Sequence, residues 1–315
     1  MNFDLPVASP GAAETDQLLG ALLLISLAVL VLVFGLMALY GIRYRARSTA
    51  HRGAPGEKSW RFEIAWTTVT IVAFFALDVW GADVYMRQSQ TPAHAMKIYI
   101  IGKQWMWKAE HEGGQREINA LHVPTGRDVQ LIMTSEDVIH DFSVPAFRVK
   151  RDVLPGRYET LWFHPNRAGT YPLYCDQFCG TGHSEMVGDI VVLKPVEFSA
   201  WLSANGEIGG TLADQGHTLF MRYGCSGCHE TTEGGGGGTV RAPPLIGLYG
   251  SLVPLADRTV VTADDKYIRD SILMPASQIV ASYPNLMPSY AGQISEENLV
   301  KVIAYIKSMA GETPR

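Results

Sequence analysis

At 315 residues and a net charge of −5, the chain has room for two compact domains and more, and its charge offers no basic surface for nucleic acid. Apolar residues make up 47% of it, and two long apolar stretches lie near the start. All four cysteines fall in two short metal-type motifs, which leaves none for a structural disulfide.

The first stretch, Leu18 to Ile42, runs 25 residues without a charge. As a helix it is about 37 Å long, enough to cross a hydrocarbon core of roughly 30 Å. A signal peptide is the competing reading, but it needs a basic start and a shorter apolar run, whereas Met1 to Asp16 holds three acids and no Lys or Arg. The second stretch, about Phe62 to Tyr85, is weaker: it is uncharged only from Ile64 to Leu77, a length that also suits a buried globular helix. Asp78 falls toward its far end, where an interface tolerates charge. Between the stretches lie Arg43, Arg45, Arg47, Arg52, Lys58 and Arg61 against the single Glu57. By the positive-inside rule the chain starts outside, dips through the membrane as a hairpin and returns to the outer face.

Short β-branched and aromatic runs follow at Met96–Ile101, Val129–Thr134, Tyr158–His164, Thr170–Cys175 and Asp189–Leu193, separated by Gly, Pro and Asn. They predict an all-β sandwich or barrel. Lys194 to Gly210 reads as a linker with one short helix over 196–203. Helices are then expected over 211–223, 264–273 and 295–310, the last with Leu299, Val302, Ile303 and Ile306 on one face. Gly234–Gly238 reads as a loop tip. The implied divisions are an external segment over 1–16, a transmembrane hairpin over 17–90, an all-β unit over 95–195, a linker over 196–210 and a helical unit over 211–315.

Cys175, Cys179, His183 and Met186 lie within twelve residues, with His140 upstream. Two thiolates, imidazoles and a thioether form a soft ligand set of the kind that selects copper over magnesium or calcium. Cys175 and Cys179 alone would equally suit a disulfide or redox pair, or a copper-delivery protein on a thioredoxin fold; His183 and Met186 favour a copper wire. His164 lacks ligand spacing and reads as structural. Cys225-Ser-Gly-Cys228-His229 has the spacing that attaches a c-type haem, with His229 on the iron. A zinc site would need a second Cys/His pair, and none remains nearby. Met287, before the final helix, is favoured over Met274 as the sixth ligand, and Pro243 or Pro244 is expected to buttress His229. Trp105 and Trp107 lie at i and i+2, on one face of an extended segment, and read equally well as core aromatics.

His140 with Cys-x3-Cys-x3-His-x2-Met, extended by Gln104-Trp105-Met106-Trp107, Asp137-Val138-Ile139-His140, Val144-Pro145 and Pro155-Gly156-Arg157, resembles the CuA site of cytochrome c oxidase subunit II. With the haem motif added, the chain resembles the fused subunit II of caa(3)-type oxidases. The resemblance implies a multidomain fold: a transmembrane helical hairpin, an all-β cupredoxin-like CuA domain and an all-α cytochrome c domain. It implies that His140 and Met186 hold one copper of a binuclear pair, that His183 and the Gln177 backbone carbonyl hold the other, and that Cys175 and Cys179 bridge them. It implies that electrons arrive at Trp105, and it suggests Glu63 for proton uptake; an interfacial acid at a helix N-terminus is the bland reading of Glu63. Gln177 stands where many members carry a glutamate that reaches magnesium, so the magnesium contact is in doubt.

The implied partners are oxidase subunit I with its haem a and haem–copper centre, subunit III, an external electron donor and membrane lipid, with no nucleic acid. The implied place is the bacterial inner membrane with two spans, both redox domains on the periplasmic face. The implied activity is reduction of oxygen to water coupled to proton translocation, with the oxygen site in a partner subunit. The same wire serving a nitric oxide reductase, and a copper-delivery assembly factor, are the alternatives. From 211 onward, 8 basic and 10 acidic residues give no strong basic face, so a short tether is expected to supply the proximity that charge steering would otherwise give.

Overall fold

The computed structural model describes residues 6–50, 59–205, 210–229 and 242–310. Gly234–Gly238, Arg52, Glu57 and Lys58 lie outside them. The chain divides into two units, Ser9–Gln90 and the remainder.

The first unit is a helical hairpin of α1 (Pro10–Arg43) and α2 (Trp60–Ser89). Helix α1 begins well before Leu18, because Ser9 caps it: its Oγ accepts the Ala12 N–H at 3.0 Å, and Pro10 supplies a preset first turn. The apolar boundary thus marks a change of solvent, and the helix start is set by the cap. Gln88 near the end of α2 donates to the Gly11 carbonyl (3.1 Å) and to Thr15 (3.2 Å) near the start of α1, which fixes the two as antiparallel. Leu24, Phe34, Phe62 and Phe74 are all exposed along these helices, an apolar surface that only lipid or a partner can cover. Both helices are long and apolar enough to cross a membrane.

In the second unit, ten strands make a sandwich. One sheet has the order β3-β2-β1-β5-β8, built from β1 (Met96–Lys103), β2 (Met106–His111), β3 (Arg116–Ile118), β5 (Val129–Ser135) and β8 (Glu159–Phe163). The other has the order β4-β10-β9-β6-β7, from β4 (Ala120–Pro124), β6 (His140–Val144), β7 (Val149–Val153), β9 (Gly169–Cys175) and β10 (Val187–Leu193). Alternation sends Ile98, Ile100, Leu131 and Met133 inward against Phe142, Leu173, Ile190 and Val192. Each such buried side chain contributes roughly 1.5–3 kcal/mol. Helix α3 (Pro195–Ala204) closes one edge, where Trp201 stacks on His122 and Glu117 bridges His122 and His111.

The rest is helical: α4 (Leu212–Arg222), α5 (Asp265–Leu273) and α6 (Glu296–Ser308), plus one short hairpin of β11 (Leu252–Pro254) and β12 (Val260–Thr262) that the all-α expectation lacked. A capping box of Thr211 and Asp214 starts α4. Helices α4 and α6 meet at Gly216, where an added Cβ would stand 1.9 Å from the Lys301 carbonyl oxygen. Tyr99, Ile132 and Tyr158 of the sandwich belong to the same buried apolar cluster as Leu212, Val302 and Ile306 of this region. The helical region therefore packs directly on the sandwich, and residues 206–209 of the expected tether lie outside the described residues.

Candidate metal centres

Strand β9 ends at Cys175 and β10 resumes at Val187, with the Cys175 N–H bonded to the Met186 carbonyl at 3.2 Å, so the intervening loop folds back on itself. His140 opens β6, the neighbour of β9. The Cys175 and Cys179 sulfurs are 3.8 Å apart and both thiols are free. His140 Nδ1 lies 4.0 Å from Cys175 Sγ, His183 Nδ1 3.5 Å from Cys179 Sγ, Met186 Sδ 3.9 Å from Cys179 Sγ, and the Gln177 carbonyl 3.3 Å from Cys175 Sγ. All six expected copper ligands therefore converge. His140, Cys175, Cys179 and Met186 are buried, and His183 is half-buried.

This donor set fits copper. Sulfurs at that separation match two metal–sulfur bonds of roughly 2.3 Å meeting at a near-tetrahedral angle, and soft donors favour copper over magnesium or calcium. Burial opposes ionisation of Cys175, yet the adjacent His140 ring and the Asp141 and Gln177 backbone bring its thiol down to about 7. Burial and the adjacent Cys175 push Cys179 up to about 12, so one thiolate forms readily and the second waits for a cation.

A second layer, which sequence reasoning quoted without assigning roles, holds the ligands. His140 Nε2 donates to Asp137 Oδ1 at 2.8 Å, and Asp137 Oδ2 accepts the Gln104 N–H at 2.7 Å. Gln104 Nε2 donates to the Cys179 carbonyl at 2.8 Å. Trp107 meets the edge of the His140 ring at 5.8 Å. A Cβ on Gly102 would stand 2.9 Å from His140 Cδ2, and one on Gly182 would stand 2.6 Å from Trp105 Cδ2, so both glycines serve close approach.

The expectation that Trp105 and Trp107 share a face is corrected. Lys103 pairs with Met106, so Trp105 sits in a two-residue hairpin turn, while Trp107 has entered β2 and the core. Trp105 lies over Gly182 and stays 38% exposed at the copper end.

In the helical region, Cys225, His229 and Met287 line one cavity with about 890 Å³ of open space, mouth included, walled by Phe220, Ile268 and Val302. Met274 and Cys228 are exposed and are not among the lining residues. His229 Nδ1 donates to the Pro243 carbonyl at 2.9 Å, which leaves Nε2 free as a ligand. Burial holds the His229 imidazole below its ordinary value despite that bond, favouring the neutral form that binds a metal. An apolar slot with a thiol, an imidazole and a thioether on its walls, and a second thiol three residues along the chain at Cys228, fits a c-type haem.

Elsewhere, Glu63 lies exposed in the first turn of α2, and His164 bonds Asp128 at 2.7 Å, a structural contact.

Residues 115–194 match the family described as cytochrome C oxidase subunit II, periplasmic domain, and residues 211–306 match cytochrome C oxidase, cbb3-type, subunit III. All the expected copper ligands fall in the first range, and Cys225, Cys228, His229 and Met287 in the second. Cytochrome c oxidase subunit 2 of Alkalihalophilus pseudofirmus is 27% identical over 260 residues, covering 78% of this chain and 72% of that one. The subunit 2 of Cereibacter sphaeroides is 28% identical, covering 62% and 78%. The solved periplasmic domain of cytochrome oxidase subunit II from Bradyrhizobium japonicum is 29% identical and covers 37% of this chain and 96% of that one, at a TM-score of 0.36. Two apolar helices, a cupredoxin-like sandwich and a cytochrome c region thus follow one another in a chain homologous to cytochrome c oxidase subunit 2, an order consistent with a subunit II fused to a cytochrome c domain.

Proposed function

We propose that this chain is the electron-relay subunit of a terminal cytochrome c oxidase in a bacterial inner membrane, acting with subunits I and III. When bound, haem c and a binuclear copper pair supply one-electron chemistry, by which electrons from an external donor reach the haem a of subunit I for reduction of oxygen to water coupled to proton translocation. The observation that carries this reading is the convergence of six copper-type donors at one end of a rigid sandwich, in the same chain as a haem-type cavity.

The chain's own residues divide the work. Cys175 and Cys179 would hold the copper pair together with His140, Met186, His183 and the Gln177 carbonyl. Cys225 and Cys228 would anchor the haem, and His229 and Met287 would hold its iron. The sandwich keeps these donors from moving, which favours fast transfer because little has to reorganise. Trp105 is where electrons arrive at the copper end, and Glu63 is a carboxylate for proton uptake at the start of α2. Gln177 offers a neutral amide where a hard cation wants a carboxylate, so no magnesium contact is assigned. The boundaries 1–16, 17–90, 95–195, 196–210 and 211–315 are the divisions this reading uses.

The test is purification of the full chain with its membrane neighbours, followed by an oxygen-electrode assay with a reduced donor. Oxygen uptake that requires both Cys175 and Cys225 is expected. Uptake of nitric oxide in its place, or copper without haem in the purified complex, would overturn the proposal.

A further inference from the structure

The first sheet of the sandwich has two covered faces. Ile98, Ile100, Leu131 and Met133 fill the sandwich core, while Tyr99 and Ile132, register partners on β1 and β5, point the other way. Both are almost fully buried, in an apolar cluster with residues of the cytochrome region.

A polar network crosses the same boundary. Tyr99 Oη donates to Asp265 Oδ1 at 3.0 Å, and Tyr249 Oη to Asp265 Oδ2 at 2.7 Å. Lys307 Nζ donates to Tyr99 Oη at 2.8 Å and to Asp265 Oδ1 at 3.2 Å, and Lys97 Nζ donates to Tyr249 Oη at 2.9 Å. A few residues along α5, Arg269 reaches back to the sandwich, donating to the Gly156 carbonyl at 2.5 Å with its guanidinium over the Tyr158 ring.

Apolar contacts alone would bury this face at lower cost, since a buried charge network repays its desolvation only when every member is well paired. What such a network adds is register, because one docked pose alone satisfies all its members. Its helices are also the walls of the haem-type cavity. Asp265 opens α5, which contributes Tyr267 and Ile268 to the lining, and Lys307 follows Ile306 on α6.

We propose that Tyr99, Asp265 and Lys307 form a positioning latch that fixes the cytochrome region in one pose on the sandwich, so that the cavity of Cys225 and His229 keeps a set distance and orientation to the copper loop. The role in electron relay rests on the function proposed above; the docking does not.

The test uses the full chain, loaded with copper and haem in lipid discs, carrying Tyr99→Phe with Lys97→Met. Both changes lie on the sandwich and leave every side chain of the cytochrome region in place. Hydroxyl-radical oxidation is read at Ile132, with exposed Ile118 as internal reference. The unaltered chain should protect Ile132, and the double variant should label it roughly tenfold faster, the scale of one or two lost buried hydrogen bonds. Haem and copper spectra should be unchanged, while transfer from haem to copper slows and becomes salt-dependent. If the double variant loses haem, Tyr99→Phe alone, which deletes one hydroxyl, is read the same way with a smaller rise.

Ile132 labelled as fast as Ile118 in the unaltered chain, or protection and transfer rate unchanged in the variants, would overturn the latch. Protection of Ile132 lost only in the variants, without any haem-to-copper transfer in the unaltered chain, would uphold the docking and count against the relay.

Discussion

His140 Nε2 lies 2.8 Å from Asp137 Oδ1, and this single contact decides which nitrogen the ring offers to the metal. A carboxylate only accepts, so Nε2 carries the hydrogen and Nδ1, which faces Cys175, is the nitrogen left to hold a metal. Burial alone would raise the Asp137 carboxyl, but hydrogen bonds from the Gln104 N–H and from His140 hold it below its ordinary value. Asp137→Ala is expected to lower copper affinity roughly 10- to 100-fold while the sandwich stays folded. Competitive chelator titration of the full chain checks this; an unchanged affinity would remove Asp137 from the site's support.

Trp105 is seated on Gly182, with room for no side chain between them. Gly182→Ala is expected to displace the indole, and Trp105→Leu to delete it. Each should slow electron delivery to copper by about one to two orders of magnitude, since small misplacements at such sites are costly. The copper spectrum should persist in Trp105→Leu. Flash-initiated transfer rates decide the matter, and an unchanged rate in Trp105→Leu rejects the assigned role.

The cavity gives Met287 and Met274 different fates. Met287→Ala is expected to abolish the methionine-to-iron absorption band and lower the haem potential, because a thioether ligand raises it. Met274→Ala should leave the spectrum intact, its side chain being exposed. The reverse result would reassign the sixth ligand.

Acid should undo the docking of the two regions. Burial alone would raise the Asp265 carboxyl, but Lys307, Tyr249, Lys97 and Tyr99 together hold it below its ordinary 3.8, with Glu112 the opposing charge near Lys307. A depressed folded value contributes stability above the unfolded value and loses it as pH falls through the folded one. Ile132 should therefore stay protected at neutral pH and become reactive only below the ordinary carboxylate range. Radical labelling across pH checks this, and a flat profile down to unfolding would contradict it.

Much of the site was legible in the sequence because copper and haem chemistry demand particular atoms at short spacings, and Cys175 to Met186 and Cys225 to His229 are both local. Strand β1 and helices α4 to α6 were legible because their apolar periodicity is strong. Strands β6 and β7 were not: His140, Asp141, Lys150, Arg151 and Asp152 spoil the alternation, because β6 supplies a ligand and β7 is an edge strand. The turn that separates Trp105 from Trp107 carries no Gly or Asn to announce it. The latch was invisible, since Tyr99 and Asp265 are 166 residues apart and each reads as an ordinary strand or helix residue. Asp137 and Gln104 stood inside quoted motifs, but only their distances to His140 and Cys179 give them roles.

In the proposed function, the loop of Cys175 to Met186 and the imidazole of His140 hold two coppers sharing one unpaired electron. Electron paramagnetic resonance of the copper-loaded full chain, combined with copper quantification on the same sample, tests it most directly. A binuclear pair per chain and a signal from one electron delocalised over both coppers are expected. One copper per chain with a mononuclear signal, or no bound copper, would contradict it.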